Sequence, residues 1–123
     1  MLEDTEEQIR KFLIEVASQK TVISYDQLNA QVPLHLDLNM ASDRVFLGRL
    51  LETVSRYEHD MGRPLLSALV VYAKGTHKGM PDNSFFELAR KLGRYRSNAD
   101  KTRWLRREQS RLREEWQTAI VKD

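Results

Sequence analysis

The alternation of apolar and polar residues predicts a mainly helical chain. From Thr5 to Gln19 the residues Ile9, Phe12, Leu13, Val16 and Ala17 recur at i, i+3, i+4, i+7 and i+8, the spacing of an amphipathic helix, with Thr5 and Gln8 as its expected capping box. Thr21–Ser24 reads as a very short strand. Ser24 with Gln27 then opens a short helix, YDQLNAQV, that Pro33 stops. In PLHLDLN the residues Leu34, Leu36 and Leu38 alternate with polar ones, which suits either a strand or a packed loop.

A long third helix is expected from about Ala41 to Asp60, ended by Gly62. Phe46, Leu47, Leu50, Leu51, Val54, Tyr57 and Met61 share an arc of about 140° on its wheel. RPLLSALVVYAK is apolar on both faces, so it reads as a central strand. After GTHKGMPDN, Ser84 and Glu87 form the expected cap of the helix SFFELARKL, closed by Gly93. The adjacent Phe85 and Phe86 should split between the core and a surface or second subunit. A final helix from about Asn98 to Val121 carries the stripe Leu105, Leu112, Trp116, Ala119 and Ile120, interrupted by Gln109.

Helix, short strand, two helices, strand and loop follow one another in the order of a winged helix-turn-helix. The expected fold class is therefore mainly α with a small β-sheet, a winged helix-turn-helix-like core and additional C-terminal helices. Residues 1–123 read as one domain, with 5–93 as its core and 98–121 as a basic helix packed on it. GTHKG sits where a wing would sit.

Composition narrows the function. Apolar residues make up 41% and charged residues 31%, a balance that excludes disorder, and the longest apolar run is too short to cross a bilayer. Without cysteine there is no disulfide, thiol nucleophile or cysteine-bound zinc. Acids follow Met1 where a signal peptide would be basic, so a cytoplasmic location is expected. Charge is strongly segregated. Between Arg90 and Arg113 stand ten Lys or Arg against Asp100 and Glu108, a balance of +8 in a chain of net charge +2, which leaves −6 for the rest.

The basic stretch supplies the candidate site. Arg103, Arg106, Arg107, Arg111 and Arg113 occupy about 160° of the last helix opposite its apolar stripe. A guanidinium is a planar fork of donors that matches phosphate in two contacts, so this face suits a polyanion. A solvated face, neutralised in part by Glu108, Glu114 and Glu115, is the competing reading. Arg49 and Arg56 on the third helix and Lys78 in the GTHKG tip are the further nucleic-acid candidates. Trp104, at the edge of the stripe, is the candidate partner-binding residue, with packing on the body of the domain as the other possibility.

Catalysis has little support. His35, His59 and His77 lack metal-ligand spacing, Ser67 and Ser84 lack an identifiable base, and pairs such as Glu58 with Asp60 or Asp82 with Glu87 could hold magnesium only if others gathered round them. No catalytic residue, metal or cofactor is expected.

TVISYDQL, followed by a turn and the longer helix, resembles the opening of the DNA-binding domain in the alkylguanine alkyltransferase and alkyltransferase-like family. That resemblance implies a winged helix and DNA binding. The family's Pro-Cys-His-Arg site has no counterpart, so repair chemistry is not implied. PLLSALVV through GMPDNSFFELARKLG is also similar to a stretch in small uncharacterised bacterial and mobile-element proteins. The expected activity is non-catalytic binding, with duplex DNA as first partner. The alternative is a protein-interaction module (an adaptor, immunity or inhibitor protein) that meets an acidic protein. A homodimer is possible, and no membrane contact is expected.

Overall fold

The structure, a computed structural model, describes residues 2–117. It is mainly helical, with five α-helices and one two-stranded sheet among those residues. Helix α1 spans Asp4–Ser18 and buries Ile9, Leu13, Val16 and Ala17 as its spacing predicts. Its cap differs from the expected Thr5–Gln8 box. The chain turns helical sooner, and the Glu3 backbone N–H donates to the Glu6 carboxylate at 3.0 Å. Acids clustered in the first turn favour this earlier start, because they meet the positive end of the helix dipole.

Strand β1 is Ile23–Ser24 and helix α2 is Tyr25–Gln31. The predicted capping box is present: Gln27 N–H donates to Ser24 Oγ at 3.1 Å, and Ser24 N–H to Gln27 Oε1 at 3.1 Å. PLHLDLN resolves into a packed loop. The Asn29 amide clamps Leu36 by donating to its carbonyl at 2.8 Å and accepting from its N–H at 3.2 Å, while Leu34, Leu36 and Leu38 rest on the core.

Helix α3 runs Ala41–Asp60 and buries Leu47, Leu50, Leu51, Val54, Ser55 and Glu58. The buried arc is thus turned toward Ser55 and Glu58. Phe46 and Met61, expected in the stripe, are left 50% and 54% exposed. Gly62, at φ +75°, ends the helix in a Schellman turn: Arg63 N–H reaches Glu58 O at 2.9 Å and Gly62 N–H reaches His59 O at 3.0 Å.

The expected long strand at RPLLSALVVYAK is corrected. Leu66–Leu69 is a 3-10 helix, and only Val70–Val71 forms strand β2, parallel to β1 with Ile23 beside Val70. Its centrality is as expected, since every residue from Leu65 to Val71 is buried. A segment enclosed on all sides has no alternation from which to read its conformation. Its neighbours are helices α1 and α3 and the final helix, and three of its backbone groups are satisfied by side chains. Leu65 N–H donates to Glu108 at 2.8 Å, Ser67 N–H to Ser55 Oγ at 3.1 Å, and Ala68 O accepts from Gln109 at 3.0 Å.

The loop after β2 returns to Tyr72 rather than forming a second long strand: Tyr72 N–H donates to Met80 O at 3.0 Å, and Gly79 N–H to Tyr72 O at 2.9 Å. Helix α4 spans Asn83–Lys91 and is capped by Asp82, which accepts from Ser84 N–H at 3.0 Å, in place of the expected Ser84–Glu87 box. Aspartate at that position meets the orphan N–H groups directly. Phe85 and Phe86 are both buried, contrary to the expected split, because Tyr95 and a tryptophan cover Phe86. Helix α5 spans Lys101–Trp116, starting after Asp100 rather than at Asn98. The expected stripe members Ala119 and Ile120 lie outside the described residues.

Candidate nucleic-acid interface

Helix α5 begins where Asp100 accepts from Arg103 N–H at 3.1 Å. Its inner face buries Leu105, Glu108, Gln109 and Leu112. Two of these are polar, and each serves the 3-10 segment. Glu108 also faces Arg94 and Arg111, both at 3.4 Å. Of the three carboxylates that sequence reading offers to the outer arginines, Glu108 therefore points inward, while Glu114 and Glu115 are exposed.

The outer face carries Arg103, Arg106, Arg107 and Arg111, all exposed. Among the described residues Arg103, Arg106 and Arg107 have no carboxylate within 4 Å, and Arg111 has only the long approach to Glu108. Arg113 is partly buried with its Nε enclosed, so it offers the face less than expected. On α3, Arg49 is exposed, while Arg56 is held by Glu52 at 2.9 Å one turn away. Lys78 is exposed in the loop between Gly75 and Gly79, which both adopt positive φ. α5 packs on α1 and the 3-10 segment, while Arg49, Arg56 and Lys78 sit on other elements. The α5 arginines are the coherent part of the candidate set.

Trp104 packs on the body of the domain, one of the two possibilities its place at the edge of the stripe offers. Its ring centroid lies 5.2 Å from that of Tyr95 and 5.8 Å from that of Phe85, and its indole N–H donates to Arg94 O at 2.8 Å. With the ring packed and its one donor used, little of it remains as an anchor.

Three polar groupings were not foreseen. Glu58, fully enclosed, accepts from Arg10 Nε and Arg63 Nε, each at 2.7 Å. Both guanidinium groups lie over the rings of Tyr57 and Trp116 at 5.4–5.9 Å. Ser55 and Ser67 meet at 2.6 Å in the interior. The Tyr72 hydroxyl donates to Asp82, whose N–H donates to the Tyr25 hydroxyl at 2.8 Å. Burial, with the nearby Asp82 charge, raises both tyrosine hydroxyls above their ordinary value. The signal for the first grouping was an acid inside an apolar arc: on the α3 wheel Glu58 falls between Leu51 and Val54.

These carboxylates and hydroxyls are engaged in holding the fold. Glu58 and Asp82, weighed as magnesium ligands, are committed to arginines and to a helix cap, and no group of three or more His, Cys, Asp or Glu gathers among the described residues. Comparisons with protein-family models, curated proteins and solved structures found no match.

Proposed function

We propose that the chain binds nucleic acid without catalysis, through the outward face of α5, and that duplex is the preferred form. One observation carries the reading: Arg103, Arg106 and Arg107 stand exposed on one helix face without a carboxylate partner among the described residues, while the helix's own Glu108 is spent inside. Exposed guanidinium groups on one face neutralise phosphates and release counterions.

The preference for duplex follows from what the face lacks. Single strands are held by stacking bases on exposed rings. Among the described residues the exposed large hydrophobic ones are Val22, Met40, Val45, Phe46 and Met61, none on α5, and Trp104 is turned into the aromatic cluster. A contact made through phosphates alone is indifferent to base sequence.

A winged-helix-like core is supported by the order α1, β1, α2, α3, β2 and loop. The parallel pairing of β1 with β2, and the absence among the described residues of a further strand after the loop, favour α5 over α3 as the main contact. An anisotropy titration of duplex DNA at several salt concentrations tests the proposal. With Arg103, Arg106, Arg107 and Arg111 engaged, log affinity should fall against log salt with a slope of about −3.6. A slope near zero, or tighter binding to a single strand of the same length, overturns it.

A further inference from the structure

We propose that Arg94 and Arg111 form a phosphate-binding subsite at the edge of the α5 face, where the connection from α4 meets the helix. Arg94 follows the turn at Gly93 that closes α4, and its side chain reaches in between α3 and α5. There it meets one oxygen of Glu108 at 3.4 Å, with Arg111 on the other oxygen at 3.4 Å. Two guanidinium groups thus converge on one acid.

A second cluster of this kind stands at Glu58, and the two differ. At Glu58 both arginines donate at 2.7 Å, and the rings of Tyr57 and Trp116 cover the remaining positive charge. At Glu108 both approaches are long, and Oε2 already accepts from Leu65 N–H at 2.8 Å. Among the described residues Arg94 Nε and Nη2 are enclosed without a hydrogen bond, and Nη1 has only the His59 ring nitrogen at 3.4 Å. No aromatic ring lies over either guanidinium among those residues. The positive charge beside Glu108 is therefore under-compensated, which favours a further anion.

The surroundings keep the surplus cationic. From Leu88 to Ala99 the chain bears Arg90, Lys91, Arg94 and Arg96 and no acid. Glu114 and Glu115, the next acids on α5, lie beyond 4 Å of Arg111. The pair is open from one side, with the Arg111 side chain 53% exposed and that of Arg94 15%. A planar carboxylate is filled by one guanidinium fork, whereas a tetrahedral phosphate has oxygens enough to meet both. Enclosure also fixes Arg94 in advance, so little side-chain freedom is lost on binding. The subsite rests on the α5 reading only where the phosphate belongs to a duplex; free phosphate would use the same chemistry. One shared phosphate means that Arg94 adds nothing to the salt dependence expected of α5.

Arginine Nε–H resonances of the isotope-labelled chain test the subsite, with the Arg94 signal assigned by its loss in Arg94→Lys. Inorganic phosphate at millimolar concentration should move that signal, and chloride at equal ionic strength should not. Arg111→Gln changes a largely open side chain, so it should keep its circular dichroism and weaken the phosphate response several-fold. A short duplex that moves the same signal identifies the phosphate as that of a backbone. A response to inorganic phosphate but not to the duplex assigns the subsite to free phosphate. An Arg94 signal indifferent to phosphate, moved equally by chloride, or undiminished in Arg111→Gln overturns the subsite, and duplex binding with the expected salt slope then leaves the α5 reading standing. Conversely, an intact phosphate response in a chain that binds no duplex keeps the subsite and overturns that reading.

Discussion

Arg10 of α1 and Glu58 of α3, 48 residues apart in sequence, meet through a 2.7 Å hydrogen bond inside the protein. Arg63 completes the other side of the carboxylate at 2.7 Å, brought back onto Glu58 by the Schellman turn at Gly62. The two guanidinium groups share one acid, and the Tyr57 and Trp116 rings cover the surplus positive charge. Removing the acid leaves two partly enclosed arginines facing each other without a counter-charge. Glu58→Ala should therefore destabilise the fold by about 3–5 kcal/mol, as loss of one partner from a buried ion pair does. Urea unfolding measures this, and a loss below about 1 kcal/mol would mean the triad contributes little.

Trp104 offers a test of packing against recognition. Its ring closes a cluster with Phe85, Phe86 and Tyr95. Trp104→Ala should cost about 3 kcal/mol of folding stability, the lower end for truncating a large aromatic. Affinity of the folded protein for duplex DNA should stay within about twofold of the parent, since the ring adds no phosphate contact. A large loss of affinity with unchanged stability would return Trp104 to the role of anchor.

The knot of Tyr25, Tyr72 and Asp82 predicts pH dependence of opposite sign at the two ends of the scale. Burial works to raise the Asp82 carboxyl, but hydrogen bonds from Tyr72, Ser84 and Asn83 outweigh it and hold the group below its ordinary value. Stability from such a group is present above its unfolded value of about 3.9 and is lost as pH falls through the lower folded value. Urea midpoints should drop across that acid window, and Asp82→Asn should flatten the drop. The Tyr72 hydroxyl, pushed up to about 12 by burial and by Asp82, behaves inversely. Its contribution is present below about pH 10 and lost as pH climbs through the folded value, so Tyr72→Phe should remove part of the alkaline loss.

Arg106 and Arg56 are both exposed, but among the described residues only Arg56 has an acid beside it, Glu52 at 2.9 Å. Arg106→Ala should reduce the steepness of the salt dependence of duplex binding by about one, uniformly across sequences. Arg56→Ala should change it by much less. Equal effects would show that both helices engage the polyanion together.

The helices were legible because each shows one apolar face: the stripe of α1 and the Ser24–Gln27 cap of α2 stand where the spacing puts them. Legibility failed where polar groups do interior work. Glu58, Glu108 and Gln109 interrupt apolar arcs, and only the fold reveals the arginines or bare backbone groups they serve. The Leu66–Leu69 segment failed for the reverse reason, being apolar throughout and so silent about its own conformation. Of the candidate site, the arginine face was readable from the wheel, whereas the withdrawal of Trp104 depends on Tyr95, a residue in a connection without periodicity.

The dependence of the 3-10 segment on Glu108 and Gln109 makes the final helix a structural necessity as well as a surface. A fragment stopping before Lys101 would strip Leu65 N–H and Ala68 O of their partners in an oily interior, so the first hundred residues should be destabilised without the helix. The two sides of that helix answer to separate demands. Its inward residues are tied to the survival of the whole molecule, and its outward arginines are free to drift or be retuned without endangering it.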